Sequence, residues 1–332
     1  MLQQFEFENE AIGVQAEIGA IDLHDGRLAN IRRNELAGAN DSFAAYPSLR
    51  RRCDAMHAAQ YNVSIARGDM KRISLIFFLL AAQMVLAQDW ARARVDKSPR
   101  HHEWVTIKQD GRSVETFVVY PESKDKRPVV LIIHEIFGMT DWVQNLADEV
   151  AEAGYIAIAP DLLSGMGPNG GRSTDFPEAK ANEAVSHLNP DQVTADLNAV
   201  VNYALKLSST TGKLFVGGFC WGGGQTFRFA TNRADLAGAF VFYGPPPAKE
   251  SMARIKAPVY GFYGENDARI DATIPDTKDA MKAAGKTYDP VIYEGAGHGF
   301  MRAGEAPDAN EANRKARKEA WTRWKSIMEK GK

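Results

Sequence analysis

Cysteine is scarce in this 332-residue chain, which has only Cys53 and Cys220. They could form one disulfide at most, which excludes a disulfide-stapled scaffold. A surplus of charge is also missing: 40 Lys and Arg stand against 42 Asp and Glu, a net −2. With no basic excess to release phosphate counterions, nucleic acid is not an expected partner. The apolar stretch Ile73–Ala82 is too short to span a bilayer comfortably. No internal repeat is visible. "GMGPNGG" at 165–171 lacks the Gly-Lys-Ser/Thr ending of a phosphate-binding P-loop, which removes nucleotide binding there. The chain is 45% hydrophobic and 25% charged, which excludes wholesale disorder. Its partners are expected to be small molecules.

Residues 70–89 read "MKRISLIFFLLAAQMVLAQD". Met70, the Lys71-Arg72 pair, the apolar run and the Val85-Leu86-Ala87 ending follow the order of a secretory signal peptide. The competing reading is a helix buried in a larger domain. A signal works near a free N-terminus, so translation is expected to start at Met70. Residues 1–69 then form a misassigned upstream extension, poorly structured, since "YPSLRRRCDAMHAAQ" and its surroundings sustain no period of 2 or 3.6. An extension with a role of its own is the alternative. Cleavage after Ala87 leaves 88–332, one domain's worth, with Cys220 as its lone thiol. The expected localisation is periplasmic or secreted, without a stable membrane anchor and as a monomer.

Beyond a polar lead-in (88–108), short β-rich runs alternate with helical stretches. "ETFVVY" (115–120), "RPVVLIIHE" (127–135), "YIAIAPDL" (155–162), "KLFVGGF" (213–219), "LAGAFVFYG" (236–244), "PVYGFYGEND" (258–267) and "YDPVIYEGAGH" (288–298) read as strands. Helices are expected over 141–154 with Gly154 as the closing glycine, 191–209, 222–233 and 273–285. A charged helix docked by Trp321 and Trp324 is expected over 305–330. The first half of 163–190 is Gly/Pro-rich and reads as a loop. Such alternation predicts an α/β fold, a mostly parallel central sheet with helices on both faces and functional groups at the carboxyl ends of the strands.

"GGFCWGGG" (217–224) puts Cys220 between a strand and a helix, with glycines two residues away on either side. Such a turn lets helix and strand approach closely, as a nucleophile elbow requires. With 28 glycines in 332 residues, chance gives a cysteine this setting roughly once in 140. A buried core thiol is the competing reading. A thiol needs a base, and the base an orienting carboxylate. Asp267 in "GENDARI" and His298 in "GAGHGFMR" both follow strands, and the order Cys, acid, His is that of α/β-hydrolases. Taken singly, Asp267 could be a helix N-cap or turn acid, and His298 a surface histidine. The backbone N–H groups of Trp221 and of Ile136, in the loop "HEIFG" (134–138), are the expected oxyanion donors. Glu135 would raise the thiol's pKa by like-charge repulsion, a merely solvated glutamate being the competing reading. "HHEW" (101–104) is not read as a metal site, because adjacent histidines on a strand point apart. Phe137, Trp142, Trp221 and Phe300 flank the motifs and could wall an apolar pocket or pack in the core.

Together "HEIFG", "PDL" (160–162), "GGFCWGGG", "GENDARI" and "GAGHGFMR" resemble the dienelactone hydrolase (carboxymethylenebutenolidase) family over roughly 110–325. The resemblance implies an α/β-hydrolase fold and hydrolysis of esters or lactones without cofactor or metal. It implies Cys220 as nucleophile, Asp267 as acid and His298 as base, with Glu135 holding the resting thiol uncharged until substrate displaces it. Arg302 falls on an arginine that binds the substrate carboxylate; without the resemblance it reads as an ordinary surface arginine. Two departures stand out. The family's serine after the histidine is Gly299 here, and its second substrate-binding arginine has no clean match, Arg172 and Lys180 being candidates. A general carboxylesterase or thioesterase on the same fold is the alternative, as is a binding or redox-sensing protein that uses Cys220 without turnover.

Overall fold

A computed structural model describes residues 89–177 and 180–331. The expectations for 1–69 and for the segment 70–87, and Cys53 with them, lie outside the described residues.

An eight-stranded sheet organises the domain: β1 (His102–Gln109), β2 (Arg112–Val119), β3 (Arg127–Ile133), β4 (Ile156–Pro160), β5 (Thr210–Phe219), β6 (Leu236–Phe242), β7 (Val259–Gly264) and β8 (Tyr288–Tyr293). Their order across the sheet is β1-β2-β4-β3-β5-β6-β7-β8. The first two strands pair antiparallel with each other, and β2 pairs antiparallel with β4; all other pairings are parallel. Parallel neighbours need crossover connections, and the helices supply them. These are α1 (Asp89–Val95), α2 (Asp141–Glu152), α3 (Lys180–Ser186), α4 (Pro190–Ala204), α5 (Trp221–Asn232), α6 (Ala268–Asp271), α7 (Ile274–Ala283), α8 (Phe300–Ala303) and α9 (Glu311–Lys330).

Alternation along β3 divides the core in two. Val129, Leu131 and Ile133 face a cluster with Val193, Leu197 and Val200 of α4. Val130 and Ile132 face the opposite cluster, with Leu146 and Val150 of α2 and Ala320 and Trp324 of α9. A central strand buried on both faces thus reads as a continuous apolar run. Trp324 is fully buried and Trp321 packs edge-on against it at 5.2 Å, which is how α9 docks.

The described part of the lead-in, 89–108, is more structured than its polarity suggested. It forms α1 and the edge strand β1, whose residues are mostly half-exposed and give no clean alternation. It is held by a buried acid: Asp148 of α2 accepts from Ser98 Oγ at 2.6 Å, from Arg100 at 2.6 and 2.9 Å, and lies 2.8 Å from His102 Nε2. His102 of the "HHEW" stretch is thereby accounted for. Segment 163–190 contains two short 3-10 turns and then α3, so its second half is helical. No helix among the described residues is long and apolar enough to cross a membrane.

Candidate active site

At the carboxyl end of β5 the chain turns into α5 through Cys220, whose φ of 55° and ψ of −117° lie in a region that L residues seldom occupy. Such a backbone costs on the order of 1–3 kcal/mol and persists where neighbours over-determine it. They do so here. The Cys220 N–H donates to the Phe242 carbonyl at 3.0 Å, and the Cys220 carbonyl accepts from the N–H groups of Gly223 and Gly224. Two glycines make the turn sterically possible. A Cβ on Gly218 would overlap the Gly222 carbonyl, and one on Gly222 would overlap the carbonyls of Ile133 and His134. The second contact seats the first turn of α5 directly on the end of β3, beside the loop that carries Glu135 and Ile136. The half-buried thiol is therefore held at a strained strand-to-helix turn and is not packed away as a core cysteine.

His298 follows β8 and sits between Gly297, whose N–H donates to Asn313 Oδ1 at 2.9 Å, and Gly299 at φ 77°. Its Nδ1 is hydrogen-bonded to Asp267 Oδ2. Asp267 is buried just beyond β7. It occupies the N-cap position of α6, but its side chain makes no capping bond and goes to the histidine instead. On its other side His298 makes a side-chain hydrogen bond with Cys220. That bond, more than the bond to Asp267, raises the imidazole to about 9 against the opposing effect of burial. Cys220, His298 and Asp267 are thus one connected chain of side chains.

The direction of the Ile136 N–H is set by a peptide plane. The Glu135 carbonyl accepts from Gly138 N–H at 3.1 Å and from His134 Nδ1 at 2.7 Å. In a trans peptide the following N–H points the opposite way, so anchoring that carbonyl fixes the direction of Ile136 N–H. The N–H groups of Ile136 and Trp221 donate to no partner among the described residues. His134 itself is fully buried, and burial lowers its pKa. Neutral, it can donate through Nδ1 and accept the Leu162 N–H at Nε2, 3.3 Å away, while its ring stacks on Trp221.

Glu135 is 2% exposed, and both of its oxygens are taken. Oε2 lies 2.6 Å from Arg302 Nε, and Oε1 accepts from the Tyr243 hydroxyl at 3.2 Å. The Arg302 guanidinium also covers Phe137, at 4.9 Å. Tyr243, the residue after β6, is fully buried and takes a φ of 40°. Its ring meets His298 edge-on at 5.1 Å, and burial followed by the Glu135 charge drives its hydroxyl well above the usual value.

The structure therefore brings together Cys220, Asp267, His298, Glu135, Arg302, Trp221 and Ile136. It engages the two remaining substrate-binding candidates elsewhere. The Arg172 guanidinium lies over Trp104 of β1 at 4.3 Å, and the Lys180 ammonium pairs with Glu183 on an exposed helix face. Of the aromatic residues flanking the motifs, Trp142 and Phe300 are core, whereas Phe137 is 37% exposed beneath Arg302. Tyr243 and His134 were not singled out from sequence. His134 lay in plain view in "HEIFG"; Tyr243 carried no motif signal. Among the described residues no group of His, Cys, Asp and Glu is arranged to hold a metal ion.

The sequence profile of the dienelactone hydrolase family matches residues 114–331. A protein of Methylorubrum extorquens named "Putative carboxymethylenebutenolidase" is 32% identical over 235 residues, covering 67% of this chain and 79% of its own length. A Saccharolobus solfataricus protein of the same name is 30% identical over 250 residues, covering 66% of this chain and 95% of its own. Among solved structures, the "Putative Dienelactone Hydrolase" of Klebsiella pneumoniae superposes with a TM-score of 0.61 at 26% identity. It covers 69% of this chain and 98% of its own. The dienelactone hydrolase-like promiscuous phosphotriesterase P91, at 20% identity and a TM-score of 0.60, shares the fold; that match covers 70% of this chain and 98% of P91.

Proposed function

Because the chain belongs to the dienelactone hydrolase family and is a hydrolase of that type with the α/β-hydrolase fold, we propose that it cleaves esters or lactones through an acyl-enzyme on Cys220. The observation that carries this reading is the connected chain Cys220–His298–Asp267, with the thiol at a strained turn. Asp267 occupies Nδ1 of the imidazole and leaves Nε2 to face the sulfur. The thiol proton moves to His298, giving the thiolate–imidazolium pair that the raised imidazole favours, and Sγ then bonds to the substrate carbonyl carbon while the oxyanion is received by the N–H groups of Ile136 and Trp221. Collapse breaks the C–O bond, and the imidazolium returns its proton to the leaving oxygen. Water, deprotonated by the same imidazole, then attacks the thioester and regenerates the thiol. No cofactor enters this sequence.

In this reading Glu135 gates the thiol by exchange of partners. With both carboxylate oxygens held by Arg302 and Tyr243, as in the geometry described, the sulfur is left to His298. Were the carboxylate released toward the thiol, like-charge repulsion would hold the sulfur protonated.

The test is hydrolysis of p-nitrophenyl acetate and of a dienelactone by the 332-residue chain and its Cys220→Ala and Cys220→Ser variants under reducing conditions. Mass spectrometry follows the acyl adduct. Loss of turnover in the Ala variant, with the adduct on Cys220 of the parent, is the expected result. Undiminished hydrolysis by Cys220→Ala overturns the reading and leaves the thiol to a binding or redox-sensing role.

Export belongs to the same proposal: residues 70–87 act as a signal, and the protein works as a monomer in the periplasm or outside the cell. N-terminal sequencing of protein recovered outside the cytoplasm of an expressing bacterium should begin at Gln88. A mature protein that retains residues 1–69 would refute this part.

A further inference from the structure

Of the stretches that carry the family resemblance, only "PDL" (160–162) supplies no group to the Cys220 site. Its Asp161 is fully buried just beyond β4, and both side-chain oxygens are taken by the main chain. Oδ1 accepts from Leu163 N–H at 3.0 Å, and Oδ2 accepts from Ser173 N–H at 2.9 Å. One side chain thereby ties down two distant points of the segment that follows β4.

From there two chains of hydrogen bonds run to one atom, the carbonyl oxygen of Glu135. In the first, Ser173 Oγ accepts from Met139 N–H at 2.9 Å, and the adjacent Gly138 N–H donates to that carbonyl at 3.1 Å. The approach is close, because a Cβ on Gly138 would overlap the Cβ and Oγ of Ser173. In the second, Leu162 N–H donates to His134 Nε2 at 3.3 Å, and His134 Nδ1 bonds the same carbonyl at 2.7 Å. That carbonyl fixes the direction of the Ile136 N–H across a trans peptide. The side chains of Ile136 and Trp221 also pack on Leu163, Ala181 and Val185 of this segment, and Trp221 stacks on His134 at 5.6 Å. Both oxyanion donors of the reading above therefore lean on the chain that Asp161 anchors. Buried polar networks whose members are all satisfied rigidify what they hold.

We propose that Asp161 and Ser173 are positioning residues for the oxyanion donors, holding the loop after β3 so that the Ile136 N–H is aimed before substrate arrives. Donors fixed in advance cost no reorganisation as charge develops on the carbonyl oxygen. Neither residue gives or takes a proton in the reaction. The proposal rests on the Cys220 reading and deepens it.

The test uses the 332-residue chain with Asp161→Asn, Ser173→Ala, Ser164→Ala and Cys220→Ala. Asp161→Asn keeps the shape but turns an amide group toward a backbone N–H, donor against donor. Hydrolysis of p-nitrophenyl acetate should fall by at least about tenfold, on the way to the roughly 100-fold that a 1 Å misplacement costs. Acylation and deacylation pass through the same oxyanion, so kcat and kcat/KM should fall together while KM stays within about threefold. Ser173→Ala breaks the first chain one link later and should lose at least about fivefold.

Alkylation by iodoacetamide needs the thiol but no oxyanion. Followed by mass spectrometry on the Cys220 peptide, apart from that of Cys53, its rate should stay within about threefold of the parent's in both variants. Ser164→Ala is the structural control. Its hydroxyl bonds the Asp161 carbonyl and the Glu115 N–H, on the β2 side of the same turn. It should lower the urea midpoint yet keep kcat/KM within about threefold. Hydrolysis within threefold of the parent in both Asp161→Asn and Ser173→Ala overturns the proposal and leaves the catalytic reading standing, provided Cys220→Ala is inactive. So does a loss that Ser164→Ala or the alkylation rate reproduces in full, since that marks general loosening. If Asp161→Asn fails to fold, Ser173→Ala decides alone. Hydrolysis that persists in Cys220→Ala, or is absent from the parent, refutes the catalytic reading and the proposal with it.

Discussion

Arg302→Met isolates what the ion pair at the site contributes. The substitution keeps much of the aliphatic stem and removes the guanidinium, so that Glu135, 2% exposed, retains a single partner, the Tyr243 hydroxyl at 3.2 Å. Removing one member of a buried pair costs about 3–5 kcal/mol, chiefly because the other charge is stranded. Arg302 itself is 30% exposed, so water can take part of its place beside Glu135. That brings the expected loss down to about 2–3 kcal/mol after discounting for solvent. For a domain of this size each kcal/mol moves Tm by about 2–4 °C, so a fall of roughly 4–12 °C is expected. Urea unfolding followed by tryptophan fluorescence gives the free energy directly.

The double variant Glu135→Gln/Arg302→Met separates a stranded charge from lost packing over Phe137. If the charge dominates, the double variant regains roughly half or more of the loss, with a coupling energy of about 1–2 kcal/mol. If Arg302→Met unfolds within about 0.5 kcal/mol of the parent, or the two substitutions are simply additive, then Glu135 is not electrostatically dependent on Arg302.

Two further outcomes follow from the geometry. His298 is raised to about 9 from the usual 6.5, first by its bond to Cys220 and then by Asp267. The folded state thus favours the imidazolium, and the stabilisation from this group is complete below about pH 6.5 and lost as pH rises through about 9. An NMR titration of the His298 ring should show the high midpoint, and Cys220→Ala should lower it; an unmoved midpoint would contradict the assignment of its cause. Gly218→Ala drives a Cβ into the Gly222 carbonyl and should cost at least about 2–3 kcal/mol in urea unfolding along with most of the hydrolytic activity. Gly238→Ala, whose Cβ would lie at an ordinary 3.5 Å from its nearest neighbours, should stay within about 1 kcal/mol. Equal effects at the two positions would refute the reading of the elbow.

What was legible in the sequence depended on burial and on local signals. The strands buried on both faces, such as "VVLII" of β3, announced themselves by continuous apolarity, and the elbow by its glycines. The edge strand β1 did not. Its side chains are mostly half-exposed, so neither an apolar run nor a clean period of 2 survives, and its position is fixed by tertiary bonds to Asp148 fifty residues on. Helix α3 was obscured because it is short and follows the Gly/Pro-rich turn of the 163–177 segment. The basic residues of that stretch were equally hard to place. A side chain's partner depends on the neighbouring strand, and Arg172 found Trp104.

Tyr243 shows what sequence spacing omits and topology supplies. Strands β3, β5, β6, β7 and β8 are consecutive neighbours and parallel, so their carboxyl ends form a single row. Glu135 stands beyond the first of these ends, Cys220 beyond the second, Tyr243 beyond the third, Asp267 beyond the fourth and His298 beyond the fifth. Phe219 pairs with Phe242 in the register of β5 and β6, so the next residues, Cys220 and Tyr243, leave the sheet side by side. Both do so with positive φ, at 55° and 40°. Four members of the row carry chemistry that a motif can betray: a carboxylate, a thiol, a second carboxylate and an imidazole. The fifth carries a phenol that touches two of them, through its hydroxyl to Glu135 and its ring to His298. Its place in the site follows from strand order alone, since a residue between Cys220 and Asp267 in the row has nowhere else to point its backbone turn. A tyrosine there, fully buried, touches both Glu135 and His298 and packs between them.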